Sequence, residues 1–446
     1  MLPEITSFEE LEGFFSILSS PGIRPGLDRI GRLLKLVGSP ERYFPSVHIV
    51  GTNGKGSTAA FIESILRSSG YSTALYTSPH LESPSERLTL RGSPAPLDAW
   101  SASAFDLNEA IKSDSVLCED PPSFFEVVTA AAFMICARSG VDIAVVEAGL
   151  GGRLDATNLL GDVRLTMITS ISMDHTDFLG DSIEQVASEK FAVMRESTPA
   201  LFSGDPDALV SQFLETAASR AAKPHLLYDL CKIDQVVSAR DSLSFVYRSE
   251  LFSRGAEIPL RTMLLGSYQV ENCALAVTGS LLLSESFPDI TNTSIVDGVR
   301  CATWPGRFET LLSDPVLILD GAHNPGGMKR LVNELSALYG GERVGVVYGS
   351  MRDKPYPECL ALLRRASGRL YCVPVPGNAR SATPEQLTEA AVEAGWGEGE
   401  VSLHNDPIEA IHTARTSNSV TVCCGSLYLV GYVRSRLSKT NGEGDR

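Results

Sequence analysis

The chain has 446 residues, more than one ordinary hydrophobic core accommodates, so its length indicates two domains. Hydrophobic residues make up 43% and charged residues 21%, a composition typical of globular proteins and not of disordered or fibrous ones. Lys and Arg total 38 against 54 Asp and Glu. The formal net charge of −16 argues against nonspecific binding to nucleic acid or to anionic membranes.

The start of the chain and its cysteines bear on the cellular compartment. The first residues, MLPEITSFEELEGFF, are acidic and lack the basic region that opens a signal peptide. The longest nearly apolar run, Val127–Ala137, is far shorter than the ~20 residues that a membrane helix needs. Nine cysteines form no CxxC pair, which is typical of reduced core cysteines. We therefore expect a cytoplasmic protein without nucleic-acid or membrane partners.

Short β-branched runs alternate with helical patterns in the first two thirds of the chain. This alternation indicates βαβ units and a mostly parallel sheet. Between Lys232 and Arg261, short strands separated by polar residues predict a small antiparallel patch at the edge of that sheet. The predicted strands and helices are Val47–Val50, Ser57–Ser69, Phe124–Arg138, Asp142–Glu147 and Arg164–Thr169.

A break in the pattern separates two domains. The helical stretch Tyr268–Leu283 is followed by ATWPGRFE, in which Pro305 and Gly306 predict a hinge. The alternation then restarts, so we predict a larger, mostly parallel domain over 1–303 and a smaller Rossmann-like α/β domain over 304–446. The elements predicted in the second domain are Val316–Asp320, a helix from Pro325, Arg343–Gly349, Arg369–Pro374, Val420–Cys424 and Ser426–Arg436.

A glycine-rich turn lies between the first of these strands and its helix, in VHIVGTNGKGSTAAFIESIL. Such a turn presents backbone N–H groups and the positive end of the helix dipole to an anion. The spacing departs from a standard P-loop, which has four residues between its first glycine and the GK pair, where this chain has two. The alternative is a turn with a surface lysine, but the density of suitable residues favours nucleotide binding by a P-loop-type domain. Those residues are Gly51, Gly54, Gly56, Lys55, Ser57 and Thr58, with Asn53 expected to hold the loop.

Carboxylates and a histidine follow two further strands. Glu147 ends an apolar strand before a second glycine-rich turn, where it either holds Mg²⁺ or caps the turn. Asp174, His175 and Asp177 follow the apolar run 165–171, and spacing alone leaves a structural and a functional histidine equally open. Lys190, taken alone, is a solvated helix residue.

In the second domain, polar residues follow the strand of LILDGAHNPGG. Asp320 and His323 lie just before a helix, and the alternative to a ligand site is a turn in which Asp320 accepts backbone hydrogen bonds. Arg307, at the predicted hinge, is within reach of a nucleotide and is placed to link its binding to domain closure.

Together these motifs resemble folylpolyglutamate synthase/dihydrofolate synthase, a branch of the Mur ligase superfamily. The resemblance covers nearly the whole chain, and thirteen blocks in order carry it. These blocks are GLDRIGRLLKLVG, VHIVGTNGKGST, TSPHL, ERLTLRG, FFEVVTAAAF, VVEAGLGGRLDATN, DHTDFLG, SEK, GSYQVENCALA, WPGRFE, DGAHNP, MRDKP and GSLYLVG.

The resemblance implies an ATP-dependent ligase that forms an amide between L-glutamate and dihydropteroate, or the γ-carboxylate of a folate, through an acyl-phosphate intermediate. We expect a bifunctional enzyme that is monomeric and acts on small molecules. The alternatives are a monofunctional folylpolyglutamate synthase, a Mur-type ligase acting on a peptidoglycan precursor, and a regulatory protein that binds nucleotide without chemistry. SEKFAV and SMDH depart from the family's usual pattern, and SPHLESPSERL varies in its centre.

The resemblance also implies roles for individual residues. Catalysis would rest on Lys55, Glu147, His175 and Lys190, the last matching a lysine that family members carry as a carbamate. Two Mg²⁺ sites would be built from Ser57 or Thr58, Ser78, Glu147, His175 and Lys190. ATP would contact Thr52, Asn53, Gly54, Lys55, Gly56, Ser57, Thr58, Gln269, Asn272, Arg307 and Asp320. Glutamate would meet His323, Ser426 and Tyr428. The pteroate or folate would meet Leu27, Arg29, Pro79, His80, Arg87, Phe124 and Ala156.

Overall fold

The computed structural model describes residues 5–251 and 257–441. The chain divides into two compact units. The first unit comprises Met1–Val236, Ser244–Arg261 and Val270–Ala302. The second comprises Thr303–Arg446 together with two earlier segments, Val237–Leu243 and Thr262–Gln269, which the sequence analysis assigned to the first domain.

The main sheet of the first unit has eight strands in the order β4-β3-β2-β5-β1-β6-β7-β8. The pairs from β2 through β8 in that order are parallel, whereas β3 runs antiparallel to both β2 and β4. The predicted mostly parallel sheet is therefore confirmed. The strands are β1 (Pro45–Val50), β2 (Thr73–Tyr76), β3 (Leu88–Leu90), β4 (Ser93–Pro94), β5 (Ile143–Glu147), β6 (Asp162–Ile168), β7 (Pro199–Phe202) and β8 (Lys223–Leu226).

Helices cover this sheet, and its central strands β1 and β5 are accordingly buried along nearly their whole length, as expected for parallel strands with both faces covered. The helix α6 starts with a capping box between Ser123 and Glu126. The helices are α1 (Phe8–Leu18), α2 (Asp28–Leu36), α3 (Lys55–Ser68), α4 (Leu97–Ser113), α5 (Ser115–Glu119), α6 (Phe124–Ser139), α7 (Thr176–Leu179), α8 (Ile183–Phe191), α9 (Val210–Ser219), α10 (Leu227–Leu230), α11 (Gln269–Leu283) and α12 (Asn292–Cys301).

Two apolar clusters of the described residues contribute to the core of the first unit. In one, α1, α2, α4 and α6 pack with alternate residues of β2 and β5 around Trp100 and Phe133. In the other, α8 and α9 pack on β6 and β7 around a triangle of aromatic rings, Phe191, Phe202 and Phe213, whose centroids lie 5.3–5.5 Å apart. These clusters fix the strand ends that carry the predicted site.

The segment that was predicted as an edge patch forms a sheet of its own. Strands β9 (Cys231–Ser238), β10 (Leu243–Ser249) and β11 (Glu257–Thr262) pair in the order β11-β10-β9, apart from the main sheet, whose edges are β4 and β8. The prediction of strands is confirmed, but their placement at the edge is wrong. Residues of β10 alternate between buried and partly exposed, which is typical of a sheet with one covered face.

The second unit contains a six-stranded sheet in the order β12-β13-β17-β14-β15-β16. All its pairs are parallel except the antiparallel pair β12–β13. Its strands are β12 (Glu309–Ser313), β13 (Val316–Leu319), β14 (Val344–Tyr348), β15 (Arg369–Cys372), β16 (Val401–Leu403) and β17 (Val420–Cys424). Its helices are α13 (Pro325–Tyr339), α14 (Tyr356–Leu363), α15 (Pro384–Glu393), α16 (Pro407–Ser417) and α17 (Leu427–Asn441).

Within the described ranges, no helix combines the length and the apolar composition that crossing a bilayer requires. The nine cysteines, all within the described ranges, form no disulfide, and seven of them are buried, as the sequence predicts for reduced core residues.

Substitution of two helical glycines by alanine should change the free energy of unfolding in opposite directions. One glycine, Gly298, lies where α12 packs closely on α3, and the other lies on an open face of α1. A methyl group at Gly298 would overlap the backbone of Ile65, whereas one at Gly13 in α1 would meet no atom within 4 Å. Gly298→Ala should therefore lower the free energy of unfolding by about 1–3 kcal/mol. Gly13→Ala should raise it by up to about 1 kcal/mol, because alanine favours a helix. Urea denaturation measures the free energy of unfolding of both variants. Equal changes in the two variants would contradict the close packing of Gly298 on Ile65.

Candidate active site

The turn between β1 and α3 requires glycine at two positions. Gly51 and Gly54 have φ of +144° and +90°. A side chain at Gly51 would overlap Thr169, and one at Gly54 would overlap the Asn272 amide. No side chain of Gly51 or Gly54 therefore covers the backbone before α3, which begins at Lys55. The backbone N–H groups and the positive end of the helix dipole can thus face the same anion.

Hydrogen bonds tie this loop to the segment that follows β6. Thr52 N donates to Ser170 O over 2.8 Å, and Thr52 Oγ1 donates to Ser172 O over 3.0 Å. The amide of Asn53 donates to Ser172 Oγ over 3.2 Å, so Asn53 holds the loop as expected. Lys55 Nζ lies 3.1 Å from Thr52 O and thus points back over the loop.

Two hydroxyls occupy the first turn of α3. Ser57 is 3% exposed and Thr58 is fully buried. Among the described residues, Thr58 Oγ1 has no hydrogen-bond partner. A buried hydroxyl without a partner is unfavourable, so the loop is suited to a ligand that would complete its hydrogen bonds.

Glu147 lies at the carboxyl end of β5, next to β1 in the sheet. Its side chain is 6% exposed, and its Oε2 accepts a hydrogen bond of 3.4 Å from Ser78 N. Ser78 follows β2, the neighbour of β5 on the other side. The structure therefore brings together two residues predicted as metal ligands from separate motifs.

Lys190 is buried, and the interpretation of it as a solvated helix residue is wrong. It lies near the end of α8, is 3% exposed, and its Nζ donates to Gly51 O over 2.8 Å. Burial, reinforced by the charge of Lys55, lowers the pKa of Lys190 to about 7. The amine thus reaches the glycine-rich loop from a helix 139 residues further along the chain.

His175 follows β6 at the same edge of the sheet. Its backbone is left-handed, with φ of +50°, and its N donates to Asp174 Oδ1 over 2.9 Å. The imidazole is one third exposed, and its Nε2 lies 3.9 Å from the same carboxylate oxygen. The histidine therefore begins the short helix α7 with its ring accessible.

A buried network beside Glu147 was not predicted from the sequence. Asp155 accepts hydrogen bonds from Leu150 N and from the backbone and hydroxyl of Thr157. Because the Thr157 hydroxyl donates its proton to Asp155, it accepts from His48 Nε2, which lies 2.9 Å away on β1. Burial lowers the pKa of His48 to about 3, so the ring is neutral, and raises the pKa of Asp155. The signal available in the sequence was the D-x-T turn of LDATN.

Of the residues predicted to contact pteroate, two arginines are already engaged. Arg29 Nε donates to the buried Glu126 over 3.2 Å. Arg87, which is 8% exposed, donates from Nε to His80 Nδ1 over 3.1 Å, and its guanidinium lies 5.5 Å from the centre of the Phe124 ring. Burial and the Arg87 charge lower the pKa of His80 to about 4, so that its Nδ1 is an acceptor at neutral pH.

The remaining three residues of that set differ in exposure. Pro79 is exposed and Leu27 is partly buried. Ala156 is buried in the loop that Asp155 and Thr157 hold. The assignment of the whole set to a pteroate contact stays a prediction.

In the second unit, Asp320 follows β13 and is 4% exposed. Its carboxylate accepts from the backbone N of Phe308 and of Ala322, both over 2.8 Å, and from the Tyr268 hydroxyl over 3.3 Å. The turn that the sequence analysis named as the alternative is therefore present. Burial raises the pKa of Asp320, and Arg307 opposes this shift.

Arg307 and His323 both contact Gly321. Arg307 packs so closely on Gly321 that a side chain there would overlap its guanidinium, and Gly321 N donates to Gly306 O over 2.9 Å. His323 Nδ1 donates to Gly321 O over 2.8 Å, which leaves Nε2 as the acceptor of the neutral ring. The structure thus places Arg307 against the turn that holds Asp320 and His323.

Ser426 and Tyr428 follow β17, the neighbour of β13. Ser426 is 4% exposed and immediately precedes α17, as its pattern predicts. Spacing alone predicts a core aromatic at Tyr428, and this prediction is wrong because the residue is 37% exposed. Because β13 and β17 are parallel, their carboxyl ends place these residues at the same edge as His323.

Gln269 and Asn272 lie in the first turn of α11 and are both buried. Asn272 packs directly on Gly54 of the glycine-rich loop. The structure thus connects one predicted adenine contact with the predicted phosphate loop.

Two protein-family models match this chain. Residues 49–279 match the Mur ligase middle domain, and residues 306–427 match the Mur ligase glutamate ligase domain. The chain is 32% identical over 424 residues to dihydrofolate synthase/folylpolyglutamate synthase of Bacillus subtilis, with 93% of this chain and 96% of the relative covered.

Solved structures agree with the sequence relatives. Escherichia coli FolC in complex with DHPP and ADP is 28% identical, with a TM-score of 0.84 over 98% of this chain and 99% of that chain. Mycobacterium tuberculosis folylpolyglutamate synthase complexed with ADP and AMPPCP is also 28% identical, with a TM-score of 0.87 over 96% and 98%.

This chain belongs to the dihydrofolate synthase/folylpolyglutamate synthase family of Mur ligases. The fold class, the family and the ligase activity that the sequence predicted are confirmed. The roles of individual residues stay predictions.

The close approach of Asn272 to Gly54 predicts a specific loss of nucleotide affinity. Gly54→Ala should weaken ADP binding by roughly tenfold or more, because the methyl group displaces the amide and strains the left-handed turn. Gly70→Ala is the matched control, since its φ is +93° and no atom lies within 4 Å of the added methyl group. Isothermal titration with ADP measures both, and equal affinities would contradict the role of the turn.

Proposed function

We propose that this enzyme joins L-glutamate to dihydropteroate and also adds further glutamates to reduced folates, using ATP. The observation that carries the proposal is the contact of the buried Lys190 amine with Gly51 of the glycine-rich loop, beside Glu147 at the next strand end. An ordinary nucleotide switch does not need a second polar site beyond its phosphate loop. The names of the Bacillus subtilis and Escherichia coli relatives, which include both activities, support the pair of substrates.

The chemistry explains why a phosphate loop is needed. A carboxylate is a poor acyl donor because its leaving group would be oxide. Attack of a carboxylate oxygen on the γ-phosphorus of ATP releases ADP and forms an acyl phosphate. The glutamate amine then attacks the acyl carbon, phosphate leaves, and the amine loses a proton. Lys55 and the loop N–H groups would stabilise the charge on the transferring phosphoryl group.

The residues present fit Mg²⁺, which prefers oxygen ligands and retains several waters. No group of three or more His, Cys, Asp or Glu side chains suited to a metal occurs in the described part of the chain, so hydroxyls would have to contribute. The orphaned Thr58 hydroxyl and the nearly buried Glu147 carboxylate agree with such a mixed set. When bound, the ion would neutralise phosphate charge. The residues that would hold two such ions are Ser57 or Thr58, Ser78, Glu147, His175 and Lys190.

Lys190 would act as a carbamate. Addition of its neutral amine to CO₂ forms an N–C bond and releases one proton, so the cation becomes an anion with two oxygens. Burial and the charge of Lys55 lower the pKa of the Lys190 amine to about 7, which supports this change of charge because the neutral amine is the form that reacts with CO₂.

Further residues would contribute to nucleotide and amino-acid binding. Gln269 and Asn272 would contact the adenine, and Arg307 and Asp320 would contact the rest of ATP. Glutamate would meet His323, Ser426 and Tyr428, whose shared strand edge supports the assignment. We expect the enzyme to act as a cytoplasmic monomer.

A product assay tests the proposal. The enzyme is incubated with ATP, Mg²⁺ and labelled glutamate, and with either dihydropteroate or tetrahydrofolate, and products are identified by mass spectrometry. We expect an amide product with both acceptors. A product with tetrahydrofolate alone would identify a monofunctional folylpolyglutamate synthase, and no product with either would overturn the proposal.

The phosphate loop and the strand-end carboxylate should both be essential for turnover. Lys55→Ala and Glu147→Gln should each lower kcat by roughly a hundredfold or more, because each removes a group that stabilises transferring charge. Lys35→Ala, which removes an exposed lysine of α2, is the control and should leave kcat unchanged. Full activity of either site variant in the coupled ADP assay would contradict its role.

The carbamate predicts chemical rescue. Lys190→Ala should be nearly inactive, and millimolar formate or acetate should restore part of its activity by supplying the missing oxygens. Lys55→Ala should show no such rescue. Carbon NMR of the wild-type enzyme with labelled bicarbonate should show a carbamate signal that is lost in Lys190→Ala. Full activity of Lys190→Ala without an added acid would rule out the carbamate.

A further inference from the structure

The short segment before α11 is held by two buried carboxylates of the second unit. Residues 266–269 form a turn in which Gln269 N donates to Gly266 O over 2.9 Å. Gly266 has φ of +103°, and a side chain there would lie 2.6 Å from the Tyr268 ring. The ring therefore packs closely on the glycine, so the position of Tyr268 and that of Gln269 are fixed together.

The first carboxylate is Glu334 of α13, which is 1% exposed. Its Oε2 accepts from Ser267 N over 2.8 Å, and its Oε1 accepts from Ser238 Oγ over 2.8 Å. A carboxylate so deeply buried is stable only when its oxygens are hydrogen-bonded. Glu334 therefore anchors the turn before α11 to the α/β core of its own unit.

The second carboxylate is Asp320, which the Tyr268 hydroxyl reaches over 3.3 Å. The same carboxylate accepts from the N of Phe308, which follows Arg307, and from the N of Ala322. One buried group thus fixes the backbone beside two of the proposed ATP contacts, Gln269 and Arg307.

The hydroxyl of Tyr268 is a donor in this arrangement. Burial and the neighbouring Asp320 raise the pKa of Tyr268 well above its ordinary value, so the phenol stays protonated at physiological pH. Hydrogen bonds from neutral donors to a buried carboxylate are stronger than those between neutral groups. Without the Tyr268 hydroxyl, the Asp320 carboxylate would keep its two backbone donors, Phe308 N and Ala322 N. The turn that carries Gln269 would lose its hydrogen bond to this carboxylate.

We propose that Tyr268 is a nucleotide-positioning residue, which acts by tying the turn that carries Gln269 to the Asp320 carboxylate, with Glu334 as the second anchor. This inference rests on the proposed function, because Gln269 and Arg307 are its ATP contacts. The role belongs to binding of the nucleotide and not to transfer of the phosphoryl group, since Tyr268 touches no reacting atom.

The test is Tyr268→Phe, which keeps the ring on Gly266 and removes only the hydroxyl. We expect the KM for ATP and the Kd for ADP to rise by roughly three- to tenfold, as loss of one charge-assisted hydrogen bond predicts. The kcat at saturating ATP and the KM for glutamate should stay within about twofold of the wild-type values, because a positioning role in binding leaves the chemical step intact.

Tyr371→Phe is the matched control. Tyr371 is buried in the same unit, and its hydroxyl accepts a hydrogen bond of 3.2 Å from Asn418. Both variants remove one buried hydroxyl, so similar thermal midpoints are expected, but Tyr371→Phe should leave the KM for ATP unchanged. A merely structural role of Tyr268 would give the two variants the same kinetics.

The outcomes separate this inference from the function on which it rests. An unchanged Kd for ADP in Tyr268→Phe, or a lower kcat at an unchanged KM for ATP, would overturn the inference while the ligase function stands. Wild-type protein that binds ADP but makes no amide would overturn the function, and the titration of Tyr268→Phe would still decide the role of the hydroxyl. Wild-type protein that binds no ADP would overturn both.

Discussion

The arrangement of four neighbouring parallel strands determines the site of the first unit. Strands β2, β5, β1 and β6 are adjacent in that order, so the segments that follow them emerge at one edge of the sheet. That edge receives the glycine-rich loop, Ser78, Glu147 and His175, although these are spread over residues 51–175 of the chain. The packing of helices on both faces holds the strands in register and thereby holds the site.

Buried polar groups set the finer geometry around this edge. Lys190 is taken out of water against the loop carbonyl of Gly51, and Asp155 fixes the turn after Glu147 to β1 through Thr157. Each of these groups would be costly in an apolar interior without its partners. Such networks keep a loop in one conformation before substrate arrives, which suits chemistry that depends on positioning two anions.

Sequence patterns predicted the features that local chemistry determines. The apolar runs indicated the strands, because the spacing of apolar residues suffices to predict a strand. The ends of these runs indicated Glu147 and His175, because only their position after a strand was needed. Burial of Lys190 could not be predicted, since it depends on how α8 packs against a loop 139 residues earlier. For the same reason the exposure of Tyr428 and the separate sheet β9–β11 were missed. Both depend on which face of an element its neighbours cover, and no local pattern encodes that.

The central claim is that a bound nucleotide converts an unreactive carboxylate into an acyl phosphate. Oxygen-18 in both carboxylate oxygens of dihydropteroate tests it most directly, in a reaction with ATP, Mg²⁺ and glutamate. The account predicts that one labelled oxygen appears in inorganic phosphate, visible as an isotope shift in phosphorus NMR, and that the other remains in the amide. Amide formation with no label in phosphate would contradict it.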